Sequence, residues 1–594
     1  MSTTLACAYL SPSLVLLAID WPDGEKRPDF LGFAVKRTPG FQDLKTQAFE
    51  PFSWLPNRLG FNGPPPKGKP DFPSNQAPIQ KFLWWDARLE GLQAGQTINY
   101  EVSAVTGTAQ NPVVDAMTTT TLMVTLPPHI EFGIGTWFNR AVMSSQAFSR
   151  KVEALGLPKG GKPTAQQALS LREWLANGME KPLPDFIRGA SSLVGAIYHL
   201  TDNLWGIPAL KSAMAKCKTA LVYDSKLEKA ARGKQSPPNP NDQAIALLKK
   251  IKFFGRDKTN IMHNKYLVSG EKLVGGSRPN PLRLTCGSAN YTTEGLTSQA
   301  NLIHTFESPD LAALYFKRFT LLKTNPSLAA TKKVTGWSRT ISVGDAGIRV
   351  FFSPEPGQPG QADSVSMETI VQAVHNAQSS VVFCLFTPTD KDLREACFAA
   401  GDAGKMMFGL VNHVAGSEPG TKPTATGKIP ADQIAQLEIY HRTKEKKDVI
   451  GANFFHPNTV PAGFEVEMNL FPGEQPPPYP PVIIHHKFIV IDAETESPTI
   501  YTGSANMSGN SVFKNDENLL EIKGSPRLAR IYLAEFLRLY EHYRARAHTI
   551  KAGMSGAGPA APGFALAHDR SWADAHYKPG TPEYKARVRM LCES

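Results

Sequence analysis

The chain contains no apolar run approaching the ~18 residues that a membrane-spanning helix needs, which argues against a helical membrane protein. Its early apolar stretch, Leu14 to Ile19, is closed by Asp20 and has no basic segment before it. It therefore reads as a first β-strand rather than as a secretory signal. Cysteine is scarce as well. Cys7, Cys217, Cys286, Cys384, Cys397 and Cys592 are scattered without a CxxC or a close pair. That spacing is expected of buried thiols in a reducing, cytoplasmic setting, with export by a signal-independent route as the alternative, and not of a disulfide framework. Nor is the charge strongly one-sided. A formal +11 over 594 residues favours an anionic partner, nucleic acid or acidic lipid, without choosing between them.

The chain does have apolar residues, 41% of the total, enough for more than one core. One stretch stands out. Ile483-Ile484-His485-His486-Lys487-Phe488-Ile489-Val490-Ile491-Asp492 reads as a buried strand, followed by a turn and a second strand ending in Tyr501-Thr502-Gly503-Ser504-Ala505-Asn506. His485 and Lys487 stand two positions apart and so share one strand face. An imidazole and an ammonium side by side in a buried strand require an anion, because an unpaired buried charge is costly. The pattern occurs twice: His263-Asn264-Lys265 precedes Gly287-Ser288-Ala289-Asn290. A given tetrapeptide arises by chance in roughly one chain of this length in a hundred, so a second copy behind a second His-x-Lys marks an internal duplication.

The surrounding periodicity gives the organisation. Residues 1–126 are short alternating strands broken by Pro and Gly, expected to form a β-sandwich. Residues 127–330 and 331–550 each alternate helices with apolar strands, the signature of a mixed sheet covered on both faces. Residues 551–594 are a Gly/Ala/Pro linker and a tail expected to pack on the core. The expected class is α/β, with two duplicated lobes of mixed sheet flanked by helices behind an amino-terminal β-sandwich. The second lobe carries a longer segment, about 413–480, before its His-x-Lys, a candidate substrate-gating loop.

The paired His-x-Lys motifs, each with a downstream Gly-Ser-x-Asn, resemble the phospholipase D superfamily. The second copy carries the superfamily's following aspartate, Asp492; the first has Gly270 there. The resemblance implies two phospholipase D-like lobes about a pseudo-twofold, with both motifs meeting at their interface. Leu89-x-x-Leu-x-x-Gly95 feeding Tyr100-x-Val102-x-Ala104 likewise resembles a fibronectin type III sandwich, with Tyr100 as a tyrosine-corner candidate.

Breaking a phosphodiester takes a nucleophile, a proton for the leaving oxygen and neutralisation of the phosphate oxygens. Two imidazoles, two ammonium groups and two amides supply all three without a metal or cofactor. The resemblance implies His263 as nucleophile and His485 as acid, with Lys265, Lys487, Asn290 and Asn506 on the phosphate oxygens and Ser288, Ser504 and Asp492 assisting at the substrate. Asp516-Glu517-Asn518-Leu519-Leu520 resembles the superfamily's downstream carboxylate segment, so Glu517 is expected to hold one histidine. The matching run Gln299-Ala300-Asn301-Leu302-Ile303 has no carboxylate, leaving Gln299 or some other group for the second. His486 faces away from the site, and His199, His375, His413 and His441 are expected in core or surface roles. The implied function is hydrolysis of glycerophospholipids at a membrane surface by a monomeric enzyme. The alternative is a nuclease acting on DNA or RNA.

Overall fold

The apolar runs of the two duplicated halves become strands buried on both faces: Ser192–Ile197, Ser380–Leu385, Met406–Val411 and Lys487–Ile491 are buried at every position. The computed structural model describes residues 2–43, 46–63, 65–66, 69, 71–142, 146–157, 163–227, 236–360, 363–424, 427–452, 483–554 and 565–591. Numbering the strands of the two lobes in chain order, the first lobe has β1 (Ile134–Phe138), β2 (Ser192–Ile197), β3 (Lys218–Asp224), β4 (Lys252–Arg256), β5 (Lys265–Glu271), β6 (Asn280–Gly287) and β7 (Leu302–Phe306). The second has β8 (Ala346–Phe352), β9 (Ser380–Leu385), β10 (Met406–Val411), β11 (Val449–Gly451), β12 (Lys487–Ile491), β13 (Thr499–Gly503) and β14 (Asn518–Lys523).

The sheets run β1-β7-β6-β5-β2-β3-β4 and β8-β14-β13-β12-β9-β10-β11, each with one short additional strand at its first edge. β2, β3 and β4 are parallel, as are β9, β10 and β11; the other pairings are antiparallel. The two orders are one topology written twice. Strand alternation then splits each sheet into two faces. Val194, Ala196, Val382, Cys384, Phe488 and Val490 point into one core shared by both lobes, joined there by Tyr532, Phe536 and Tyr540 of the helix Pro526–Met554. Leu193 and Ile197, and Val381, Phe383 and Leu385, fill separate outer cores under each lobe's own helices.

A three-stranded sheet (Leu5–Ser11, Leu14–Asp20, Leu83–Asp86) and a larger antiparallel sheet centred on Thr97–Thr108 form the amino-terminal β-sandwich. Trp21, Phe30, Phe33, Phe82 and Tyr100 are buried between them. Tyr100 does not make a tyrosine corner. Its hydroxyl donates at 2.9 Å to Asp86, which also pairs with the buried Arg37 at 2.8 Å, so the partner is a side chain and not a backbone carbonyl. The tail packs mainly on this sandwich. Trp572 stacks on Phe82 with centroids 5.4 Å apart, and Arg587 pairs with Asp20 at 2.9 Å.

The cysteine reading fails at one position. Cys217, Cys286, Cys384 and Cys397 are free and buried, but Cys7 is disulfide-bonded, its partner lying outside the described residues. Close by, the Tyr9 hydroxyl donates to the carbonyl of Met590 at 2.9 Å. The end of the proposed gating segment, from 453 on, lies outside the described residues. The part that precedes it forms the helix Ala431–Glu445 and β11. Among the described residues no helix is long and apolar enough to cross a membrane.

Candidate active site

His263 and His485 each stand two residues before the strand of their own lobe, and each is fastened through its backbone to the other lobe. The His263 N–H donates to the carbonyl of Asp516 at 2.9 Å, and the His485 N–H to that of Ala300 at 3.1 Å. The parallel bridges Met262–Asp516 and Ala300–Ile484 extend these contacts. A second tether lies behind each histidine. Asp224, at the end of β3, accepts from the Met262 N–H at 2.7 Å, and Asn412, just past β10, accepts from the Ile484 N–H at 2.9 Å. The two rings come together edge to face, centroids 6.4 Å apart and planes at 73°.

Each ring is also oriented by the opposite lobe. Nδ1 of His263 donates to Glu517 Oε2 at 2.8 Å. That carboxylate also accepts from Ser504 Oγ at 2.8 Å, and from Ser511 Oγ and Asn515 Nδ2 at 3.1 Å each. Nδ1 of His485 donates to Asn301 Oδ1 at 2.9 Å, an oxygen that also accepts from Ser288 Oγ at 2.8 Å. The orientation of the Asn301 amide is set from its other end, where Nδ2 donates to the Gly295 carbonyl at 2.9 Å. An oxygen thus faces His485, so its proton sits on Nδ1. In both rings the acceptor engages Nδ1, which leaves Nε2 as the nitrogen not taken up by the opposite lobe.

Sequence reasoning missed Asn301. Ser288 and Asn301 are 13 residues apart, as are Ser504 and Glu517, so the register that pairs Gln299 with Asp516 is one residue out. The fold aligns Asn301 with Glu517: the Ser288 and Ser504 N–H groups donate to the carbonyls of Leu302 and Asn518, the residues that follow them.

Lys265 and Lys487 are 1% and 0% exposed, and their ammonium groups donate to the backbone carbonyls of His263 at 2.7 Å and His485 at 2.8 Å. Asn290 and Asn506 each carry a buried side-chain oxygen with no hydrogen-bond partner among the described residues. Ser288 and Ser504 are brought to the cluster but are spent on Asn301 and Glu517, not turned to a substrate. Asp492 is not brought to it. Its carboxylate lies past the far end of β12 and accepts from the N–H groups of Gln378 at 3.0 Å, Ser379 at 2.7 Å and Ser380 at 3.0 Å, capping the turn into β9. At the matching place in the first lobe, a Cβ on Gly270 would meet the Asn280 carbonyl oxygen at 2.1 Å, which explains why no aspartate stands there. His486 is buried on the opposite strand face among Phe138 and Phe488.

The cluster is electrostatically poised for an anion. Burial, opposed by Glu517 and reinforced by Lys265, pushes His263 down to about 4. Burial and the two lysines push His485 well below the ordinary imidazole range. Burial drives Lys265 well down, and Lys487 to about 7, with Glu517 opposing in both. Burial would raise Glu517, but His263 and its other hydrogen-bond donors hold it below the ordinary carboxylate range. A phosphate between the rings would restore charge to all four bases.

Residues 370–540, the bulk of the second lobe, match the family model described as "Cardiolipin synthase, PLD-like domain". No curated protein is significantly similar to the chain. Among solved structures it is similar to polyphosphate kinase from Porphyromonas gingivalis, at 12% identity over 60% of this chain and 47% of that one, TM-score 0.35. It is similar also to phosphatidylserine synthase from Haemophilus influenzae, at 11% identity over 70% and 93%, TM-score 0.40. A third is Nuc, a phospholipase D family member from Salmonella typhimurium, at 20% identity over 33% and 95%, TM-score 0.20. The chain spans about half the length of the kinase. The match to the phospholipase D-like family model lies within the second lobe, and the first lobe repeats that lobe's topology and its His-x-Lys.

Proposed function

We propose that the chain is a phospholipase D-type phosphodiesterase that hydrolyses glycerophospholipids to phosphatidic acid and a free headgroup. The observation that carries this reading is the crossed pairing of the two histidines, His263 with a carboxylate and His485 with an amide, on either side of a gap that one phosphoryl group fills. In the first step Nε2 of His263 attacks phosphorus while the bond to the headgroup oxygen breaks. That oxygen takes the proton from Nε2 of His485, which is protonated in the complex. In the second step His485 removes a proton from water, whose oxygen attacks phosphorus and releases His263.

The two partners suit these roles. As the N–P bond forms, the His263 ring becomes cationic, and the Glu517 carboxylate at Nδ1 stabilises that charge. The neutral amide of Asn301 gives an imidazolium at His485 less support, so it yields its proton more readily. Lys265, Lys487, Asn290 and Asn506 hold the phosphate oxygens, where charge builds in the transition state.

A second reading is cleavage of nucleic-acid phosphodiesters, which the same chemistry and the formal +11 charge permit. The test is release of choline or ethanolamine from phosphatidylcholine or phosphatidylethanolamine vesicles, beside digestion of single- and double-stranded DNA and RNA. Wild type releases headgroup, and His263→Ala and His485→Ala do not. Strand cleavage without headgroup release selects the nuclease, and equal activity in all three proteins overturns the mechanism.

A further inference from the structure

The turn that follows β2, Tyr198-His199-Leu200, is held rigidly through its backbone. The Tyr198 carbonyl accepts from Asn241 Nδ2 at 3.0 Å, the Leu200 N–H donates to Asn241 Oδ1 at 2.8 Å, and the His199 carbonyl accepts from the Tyr291 N–H at 3.2 Å. The rings carried by this turn reach the site. Tyr198 stands edge-on to His263, centroids 5.0 Å apart, with the Lys265 ammonium 5.2 Å from its ring centre. The His199 imidazole lies flat on Tyr198, centroids 3.8 Å apart at 17°. It is partly open to solvent and feels both Lys265 and His263. Among the described residues no hydrogen bond engages either of its ring nitrogens. A polar ring fixed by its backbone and by stacking, yet without a partner, beside a reactive histidine is arranged to meet something that arrives.

The second lobe has no equivalent. The residue matching Tyr198 by register is Phe386, 6.3 Å from His485, and Thr387 follows it where His199 stands in the first lobe. The extra imidazole is therefore on the His263 side alone. In an in-line displacement by His263 the leaving group departs toward His485, so a group beside His263 faces the part of the substrate that stays on phosphorus.

Resting on the phosphodiesterase reading, we propose that His199 is a specificity-determining residue that hydrogen-bonds the retained alcohol of the diester, namely an ester carbonyl of a diacylglycerol, and makes no contact with the leaving headgroup. Tyr198 is its support.

Three chromogenic diesters that share 4-nitrophenolate as leaving group and differ in the retained group test this: 1,2-dibutyrylglycerol, thymidine (through its 5′ oxygen), and a second 4-nitrophenyl group. In His199→Ala and His199→Phe, the latter keeping the stack without the nitrogens, kcat/KM on the dibutyrylglycerol diester is expected to fall roughly tenfold, the size of one lost hydrogen bond. On bis(4-nitrophenyl) phosphate it should change less than about twofold, and His199→Gln should recover part of the loss. Equal losses on all three diesters, no loss on any, or a loss confined to the thymidine diester overturns the proposal. If wild type cleaves none of the three, the phosphodiesterase reading itself falls. If wild type cleaves them and the variants do not discriminate, only the role of His199 falls.

Discussion

Glu517 lies in the second lobe, yet its carboxylate is 2.8 Å from Nδ1 of His263 in the first. Neither lobe can orient its own histidine. The cluster forms only where the two meet, and each lobe supplies the imidazole of one half and the acceptor for the other.

Because the acceptors differ, exchanging their charge separates the two roles. Glu517→Gln leaves the hydrogen bond but removes the charge that stabilises a cationic His263, and is expected to lower kcat/KM by about 10²-fold or more with little change in the unfolding midpoint. Asn301→Asp places a carboxylate on His485 and raises the pKa of the acid. An acid must be protonated to act, so the alkaline limb of the kcat/KM profile is expected to move to higher pH. Steady-state kinetics across pH on both variants check this, and an unmoved limb in Asn301→Asp contradicts the assignment of His485 as acid.

Lys487, pushed down to about 7 by burial, gives the empty site a pH-dependent affinity for anions. Its folded pKa lies below the unfolded value, so between about 7 and the ordinary lysine range the unfolded chain binds more protons and stability rises with pH; below about 7 the folded state bears the cost of a buried ammonium. A bound anion offsets that cost. Millimolar sulfate, a dianion throughout this range, is expected to raise the Tm more at pH 6 than at pH 9, and Lys487→Met is expected to remove most of the difference.

Asp516 joins the lobes through two buried arginines, Arg256 at 2.8 Å and Arg318 at 3.2 Å. Asp516→Ala would leave both without their carboxylate and is expected to destabilise the fold by about 3–5 kcal/mol, read from denaturant unfolding. Asp492→Asn is expected to cost about 1–3 kcal/mol through the backbone N–H groups it caps, while kcat/KM stays within a few-fold. Gly270→Asp, which would complete the first motif on paper, is expected to lower stability and gain no activity, because its side chain has no space.

Much of this was legible in the sequence. The near-continuous apolar strands announced sheets covered on both sides, and the duplicated His-x-Lys and Gly-Ser-x-Asn announced two lobes and the residues that meet between them. Asn301 was not legible as the acceptor for His485, because an amide in place of a carboxylate breaks the motif and a one-residue shift in register is invisible until strand pairing fixes it. The placing of Asp492 depends on where β12 ends, and the roles of Ser288 and Ser504 on which lone pairs the opposite lobe uses. Both are tertiary facts.

The central claim is that His263 becomes covalently bonded to phosphorus. Rapid quenching of wild type and of Glu517→Gln during turnover of a phospholipid, followed at once by peptide mass spectrometry under non-acidic conditions, tests it directly. The account predicts a phosphatidyl adduct on the peptide containing His263 and none on the one containing His485. An adduct on His485, or steady turnover with no adduct on either histidine, would contradict it.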